Sequence, residues 1–270
     1  MVDGQLLSWL LVQWWRIMAN LGLGIGLSRG SAHGIEEILP DEYSLAFDGV
    51  GDHIDAGTNL TDDLGNTYAG DLSVSFWFKI LTGESDNDQG LLMFGPFDSN
   101  VGAFQIWQAN DLIKMGLLSG ATQWRRTVAV PTENVWHHLV CVYDNNGASD
   151  TLMYLNNVSV GAIDGTHNTF PTTAQMNFNG LKLIIAGYWD GSYMWKGSMD
   201  QIAIYTKALT AGEVNSLYGG GAPTTGGNAS EISTLVTSYR LETGSGSTAF
   251  DSSINGYDAP ISGDSAWEAH

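Results

Sequence analysis

Residues 72–80 carry the clearest alternation of apolar and polar side chains in this chain. Every second position is apolar, and mostly small or charged residues stand between them. The apolar positions are Leu72, Val74, Phe76, Phe78 and Ile80. A period of two is typical of an antiparallel strand with one face in a core and the other in water. The pattern therefore predicts a half-buried β-strand.

Shorter apolar segments recur on both sides of this strand, separated by polar turns. They cover residues 44–49, 52–55, 136–143, 151–157, 181–188 and 197–205. One short helix is expected after the last of them, because Thr210 and Glu213 form a capping box that Gly219–Gly221 follow. Many short strands, together with 34 glycines, indicate an all-β sandwich.

Five motifs occur in a characteristic order along these segments. They are Phe47-Asp48-Gly49, FWFK at 76–79, WHHL at 136–139, YLNN at 154–157 and G-x-x-D-x-I-x-I-Y at 197–205. In this order they resemble the laminin-G-like or concanavalin A-like jelly-roll family, which includes pentraxins and many lectin-like modules. The resemblance implies a two-sheet antiparallel jelly-roll sandwich over residues 43–218. It implies no particular activity, because this architecture carries lectins, hydrolases and adhesion modules.

Residues 1–42 are expected to form an anchoring arm. The segment from Leu6 to Met18 is mostly apolar but has no basic start or small-residue cleavage site, and it is shorter than the ~20 residues that span a bilayer. Membrane contact is therefore disfavoured, and the arm packs either on its own domain or on a partner. The side chains expected to bind that partner are Leu6, Leu7, Trp9, Leu10, Leu11, Trp14 and Trp15. The following segment, residues 18–30, resembles the opening of some structural proteins of tailed bacteriophages.

The C-terminal part divides at a linker rich in Gly, Ser and Thr, residues 219–232. Residues 233–270 form an extension that resembles the opening of a second module, with a strand at 235–241 and an Asp-Ser-Ser turn at 251–253. Two alternatives remain open for this extension. It either folds back on the sandwich as a permuted strand, or belongs to a truncated second module or partner-binding segment.

Charge and catalytic motifs exclude several classes of function. The formal net charge of −19 disfavours nucleic acid, whose affinity comes chiefly from Lys and Arg. The chain lacks the strand-borne Glu-x-Asp-x-x-Glu run of laminarinase-type hydrolases, so we expect no enzyme activity. Adjacent His137 and His138 point to opposite faces of a strand and cannot bind one ion together. Cys141 is the single cysteine, which excludes an intrachain disulfide.

Two kinds of binding residue are expected instead. Asp48, Asp52 and Asp200 stand where the resemblance implies that the first and last core strands meet, and Ca²⁺ favours such oxygen ligands; alternatively, Asp48 and Asp200 bond turn amides. Aromatic side chains near turns stack on sugar rings beside polar groups. The candidates for a glycan are Trp189, Asp190, Tyr193, Trp107 and Trp124.

These observations predict a non-enzymatic virion structural or decoration protein that displays a lectin-like jelly roll and binds host-surface glycans. Its arm is expected to contact other virion proteins or symmetry mates. The alternative is a secreted or cell-surface carbohydrate-binding or adhesion module, and a glycoside hydrolase is third. The arm separates the first two, because a free lectin has no need of an uncovered apolar segment.

Overall fold

The computed structural model describes residues 41–65, 68–85, 87–95, 103–119, 122–170, 178–188 and 191–270. Residues 1–40 of the predicted arm, with its seven partner-binding side chains, lie outside these residues, whereas Asp41 and Glu42 are described with the sandwich. The described residues form many short strands and two short α-helices. The strands are β1 Tyr43–Asp48, β2 His53–Asp55, β3 Leu72–Ile80, β4 Gln89–Phe94, β5 Ala103–Ala109, β6 Leu112–Ser119, β7 Thr122–Ala129, β8 Trp136–Tyr143, β9 Leu152–Leu155, β10 Val158–Val160, β11 Ala162–Asn168, β12 Leu183–Ile185, β13 Lys196–Tyr205, β14 Leu235–Tyr239, β15 Thr248–Ala249, β16 Ala259–Ser262 and β17 Ala266–Ala269; the helices are α1 Asn59–Leu64 and α2 Ala211–Tyr218.

The strands form two antiparallel sheets. Within the described residues, one sheet has eight strands in the order β10-β9-β8-β3-β13-β1-β17, with β14 also pairing with β13. The other has nine strands in the order β11-β7-β6-β5-β4-β12-β2-β16-β15. The predicted all-β, two-sheet antiparallel sandwich is confirmed. Side chains from both sheets, such as Phe76 and Phe104, share one apolar core.

The burial of strand β3 differs on one face from what its alternating sequence predicts. Its apolar positions face the core as predicted, but Ser73, Ser75 and Trp77 on the opposite face are buried as well. The prediction that this face is wetted was wrong, because α2 and its neighbours cover the eight-stranded sheet there. The Trp77 ring stacks on Tyr218 of α2 with centroids 5.7 Å apart.

The predicted capping box of α2 is present. The Thr210 amide donates to Glu213 Oε2 over 2.9 Å, and the Glu213 amide donates to Thr210 Oγ1 over 3.3 Å. Each side chain of the motif thus accepts a hydrogen bond from a backbone amide that has no partner within the helix. Among the described residues, no helix is both long and apolar enough to cross a bilayer.

The C-terminal residues are built into the sandwich. Strand β14 pairs with β13, β17 pairs with β1, and β16 pairs with β2 in the other sheet. Tyr239 and Leu241 enter the shared core. Residues 233–270 therefore fold back on the sandwich, which is the first of the two alternatives that the sequence leaves open.

Candidate functional site

The outward face of the nine-stranded sheet carries an aromatic and cationic cluster. Phe104 and Ile106 of β5 point into the core, so Gln105 and Trp107 lie on the opposite face. In the register of the sheet, Trp107 stands beside Lys114 of β6. The next row of this face, two residues away, places Gln105 beside Gly116 and Gly116 beside Arg125 of β7.

Two glycines make room for the aromatic rings of this face. A Cβ atom at Gly116 would lie 2.7 Å from Trp107 Cζ3, and one at Gly90 would lie 2.5 Å from Tyr188 Cδ1. Since real Cβ contacts are never that short, each ring occupies the space that a larger residue would fill. Trp107 and Tyr188 both belong to one small apolar cluster with Met93.

One cation packs over the indole of Trp107, and a second stands beside Trp107 in the register of the sheet. The Arg125 guanidinium carbon lies 5.2 Å from the ring centroid, within the range of a cation–π contact. Partial burial lowers the pKa of Lys114, and the charge of Arg125 lowers this pKa further, whereas Asp88 and Asp164 raise it. Arg125 Nη2 also donates to Gln123 Oε1 over 3.0 Å.

Tyr193 extends this face into solvent. Its ring centroid is 4.8 Å from that of Tyr188, and the side chain is 52% exposed. The turn that carries it is held by the Gly90 amide, which donates to the Tyr193 carbonyl over 2.8 Å. Two other predicted glycan ligands, Trp189 and Asp190, lie outside the described residues. We call the described set, Trp107, Lys114, Arg125, Tyr188 and Tyr193, the aromatic–cationic face.

Trp124 does not belong to this face. It pairs with Leu117 on the core side of the sheet and is completely buried. Its ring packs edge-on against Phe170 at 5.5 Å. The prediction that Trp124 binds a glycan was wrong, because the tertiary structure places Trp124 on the core face of β7 and Arg125 on the opposite face.

The predicted metal ligands separate into two clusters. Asp48 pairs with Lys196 across β1 and β13, whereas Asp200 lies four residues further along β13. At the rise of a strand, this separation is about 13 Å. Asp48, Asp52 and Asp200 therefore cannot hold one ion, because the two strands meet as expected but the carboxylates stand at different ends.

The first cluster comprises Asp48, Asp52 and Asp264. The buried Asp52 carboxylate accepts from the amides of Asp48 and Asp264, over 2.9 and 2.8 Å. Asp48 Oδ1 accepts from the Val50 amide over 2.6 Å. These contacts match the alternative reading for Asp48, in which its carboxylate bonds a turn amide.

The second cluster, which we call the junction cluster, comprises Asp41, Asp200, Glu242 and His270. It lies where β1 and β14 meet end to end along β13: β1 pairs up to Met199, and β14 pairs from Ile202. The β3 register shifts between Asp200 and Ala203, so β13 bulges at this point. Sequence reasoning missed three of the four residues, because they approach Asp200 from distant parts of the chain.

The junction cluster brings three carboxyl groups together in a buried place. Asp200 Oδ1 accepts from the Gln201 amide over 2.8 Å, and Asp200 Oδ2 lies 3.0 Å from His270 Nε2. Burial, followed by the nearby charge of Asp41, raises the pKa of Asp200 well above its ordinary value. Burial and Asp41 likewise raise the pKa of Glu242 to about 9.

Two oxygens of the junction cluster fit a cation. Asp41 Oδ1 and Glu242 Oε1 are buried and accept no hydrogen bond. The Asp41 side chain is only 6% exposed, and its Oδ1 lies 3.4 Å from His270 Nε2. Three carboxylates around such oxygens are donors that a hard cation prefers, whereas those of Asp52 already bind amides.

The side chains with catalytic potential in β8 have structural partners. His138 lies against Trp77 and its Nε2 is 2.8 Å from Ser75 Oγ, whereas His137 Nε2 is 2.9 Å from the Thr132 carbonyl oxygen. Burial lowers the pKa of His138 to about 3, so the ring is neutral at physiological pH. Cys141 is completely buried, and burial raises the pKa of its thiol.

Comparisons with known proteins identify the fold family. The model of the concanavalin A-like lectin/glucanases superfamily matches residues 48–215, more than half of the chain. A candidate carbohydrate-binding protein from Bacteroides ovatus ATCC 8483 is similar in structure, with a TM-score of 0.54 and 15% identity over 86% of this chain. The chain spans 60% of that protein's length. The heptameric SAP-like pentraxin of Limulus polyphemus has a TM-score of 0.44 and 13% identity, over 70% of this chain and 87% of the pentraxin. No curated protein sequence matches.

Proposed function

The chain belongs to the concanavalin A-like lectin/glucanases superfamily, and from this premise we propose that it is a non-catalytic, lectin-like carbohydrate-binding module. The ligand lies on the aromatic–cationic face of the nine-stranded sheet. The observation that carries this proposal is the exposed Tyr193 ring packed on Tyr188, beside polar and charged side chains. Aromatic rings provide apolar faces for pyranoses, and neighbouring polar groups bond the hydroxyls.

The Bacteroides ovatus protein supports this proposal. It is described as a candidate carbohydrate-binding protein, and we propose the same kind of role here. The superfamily also includes glucanases, but the chain lacks the Glu-x-Asp-x-x-Glu run that would aim two carboxylates at one glycosidic bond. For this reason we propose binding without hydrolysis.

The test compares two equally exposed aromatic side chains. Tyr193 is 52% exposed on the proposed site, and Phe250 is 50% exposed beside the edge strand β15. Affinity electrophoresis on a panel of polysaccharides should show retarded migration for the wild type and for Phe250→Ala, but not for Tyr193→Ala. Retardation that survives Tyr193→Ala unchanged would place the ligand elsewhere. Melting temperatures of both variants control for folding.

We also propose that the carboxylates of Asp41, Asp200 and Glu242 hold Ca²⁺. The ion would stabilise the ionised form of carboxyl groups whose pKa values burial and mutual repulsion raise, and it would ligate the unbonded oxygens of Asp41 and Glu242. This ion would stabilise the junction between β1, β13 and β14 rather than contact the glycan. Melting temperatures measured with Ca²⁺ and with chelator test this site.

The virion location remains a proposal that rests on the apolar arm in residues 1–42. The comparisons do not support it, and a secreted or cell-surface module agrees with them better. Deletion of residues 1–30 tests the arm. If it anchors the chain in a particle, the shortened protein keeps glycan binding but no longer assembles. Unchanged assembly would exclude the anchoring role.

A further inference from the structure

Lys114 differs from the other four lysines of the chain. Each of the four has its ammonium 2.6–3.2 Å from a carboxylate oxygen; the pairs are Lys79–Glu268, Lys182–Asp55, Lys196–Glu84 and Lys207–Glu213. With 29 acidic residues against ten Lys and Arg, carboxylate partners are abundant. Across the described part of the chain, however, no carboxylate forms an ion pair with Lys114. Its ammonium is thus available to an anion from outside.

The position of Lys114 directs this charge to the proposed ligand. It stands beside Trp107 across β5 and β6, and the Arg125 guanidinium packs over the same indole at 5.2 Å. A guanidinium and an ammonium therefore lie near each other on a partly buried sheet face, where electrostatic interactions are screened less than on an open surface. Nothing in the packing of the core requires this arrangement, because both side chains point away from it.

The described acids near Lys114 do not form an ion pair with it. Asp164 is occupied within its own turn: its Oδ1 accepts from the amides of Thr166 and His167, over 2.7 and 3.2 Å, and its Oδ2 lies 3.4 Å from His167 Nδ1. Asp88 acts on Lys114 only through the longer-range field. A neutral sugar would need only hydroxyl-bonding groups, whereas an unpaired ammonium beside a guanidinium favours an oxyanion.

We propose that the ligand of the aromatic–cationic face is an anionic saccharide whose carboxylate or sulfate pairs with Lys114, while its ring packs on the exposed Tyr193, since Trp107 itself is only 3% exposed. Arg125 supplies a second positive charge to the same group. This inference rests on the proposed carbohydrate-binding function and names its substrate class. It also accounts for a local cationic site in a chain of net charge −19, since a polyanion would otherwise be repelled.

The experiment uses polymers that differ only in charge. Binding of the full chain is measured by isothermal titration calorimetry to polygalacturonate and its methyl ester, and to dextran sulfate and dextran. We expect binding to a charged member and at least tenfold weaker binding to its neutral partner. Which charged polymer binds distinguishes a uronate from a sulfate ester. Affinity for the charged polymer should fall as NaCl is raised.

Lys114→Met retains the aliphatic stem and removes the charge. We expect it to weaken binding of the charged polymer about tenfold or more, as for loss of one charge-assisted hydrogen bond. The matched control Lys207→Met removes the same charge from an ion pair with Glu213 and should bind as the wild type does. Lys114→Gln serves as a second variant if Lys114→Met melts at a lower temperature.

The outcomes separate the two proposals. Equal binding of charged and neutral polymers, lost in Tyr193→Ala but unchanged in Lys114→Met, would overturn the anionic class and leave carbohydrate binding intact. If Lys114→Met and Lys207→Met lose the same amount of affinity for the charged polymer, binding depends only on net charge. That result would also overturn the role of Lys114. Wild-type protein that binds none of the four polymers and is not retarded on the polysaccharide panel would contradict both proposals.

Discussion

The two acidic clusters of this protein have similar side chains and opposite bonding. In the first, the oxygens of Asp52 accept from two backbone amides, and Asp48 bonds the turn that follows β1. In the junction cluster, one oxygen each of Asp41 and Glu242 is buried without a hydrogen bond. The difference teaches that the number of acids in a cluster does not by itself indicate how many of their oxygens remain without a hydrogen bond.

The largest expected effect concerns the first cluster. Asp52→Ala leaves the amides of Asp48 and Asp264 without their buried acceptor, so we expect a loss of about 3 kcal/mol in the free energy of unfolding, with or without calcium. Asp264→Ala is the control, because the Asp264 backbone amide makes the bond and its side chain does not. Urea denaturation measures both. A calcium-dependent loss in Asp52→Ala would mean that this cluster holds the ion.

Calcium should act on the junction cluster alone. At about one hundred times its dissociation constant, a ligand that binds only the native state adds roughly 2.7 kcal/mol. The melting temperature should therefore rise with Ca²⁺ and fall with chelator in the wild type and in Asp48→Asn. It should not change with Ca²⁺ in Asp200→Asn. Identical melting curves of the wild type with calcium and with chelator would exclude the site.

The pH dependence of stability includes a contribution from buried His138, which must be separated from that of the acidic clusters. Burial lowers its folded pKa to about 3, so above pH 6.5 the ring is neutral in both states and contributes nothing. Below pH 6.5 the unfolded state binds the proton and the folded state does not, so stability falls as pH falls. The loss at pH 5 is about 2 kcal/mol. His138→Gln should remove this slope between pH 6.5 and 5, measured by urea denaturation in chelator; an unchanged slope would contradict the assignment.

The smallest effect is expected from Asp200→Asn in chelator. The amide keeps the shape of the carboxyl group and can still accept from the Gln201 amide, but it cannot ionise beside Asp41, so the free energy of unfolding at neutral pH should rise slightly. The same isosteric change in the first cluster, Asp52→Asn, should destabilise the protein, because an amide offers one acceptor atom where two amide donors point. A strongly destabilised Asp200→Asn would show that Asp200 is charged and satisfied in the metal-free protein.

The amino-acid sequence by itself determined the local features of this protein. The alternation of 72–80 fixes which side of β3 enters the core, and Thr210 and Glu213 cap α2 as their spacing predicts. The order of the five motifs identified the two-sheet sandwich. These features depend on neighbours a few residues apart, so the pattern of side chains contains them.

Only the tertiary structure decided which distant residues meet. Alternation could not show that α2 covers the outer face of β3, that Trp124 faces the core, or that the C-terminal strands complete both sheets. The unpaired state of Lys114 and the meeting of Asp41, Asp200, Glu242 and His270 depend on register and on a bulge in β13. A one-residue change of register turns each side chain to the other face, and nothing local in the sequence specifies that choice between strands far apart in the chain.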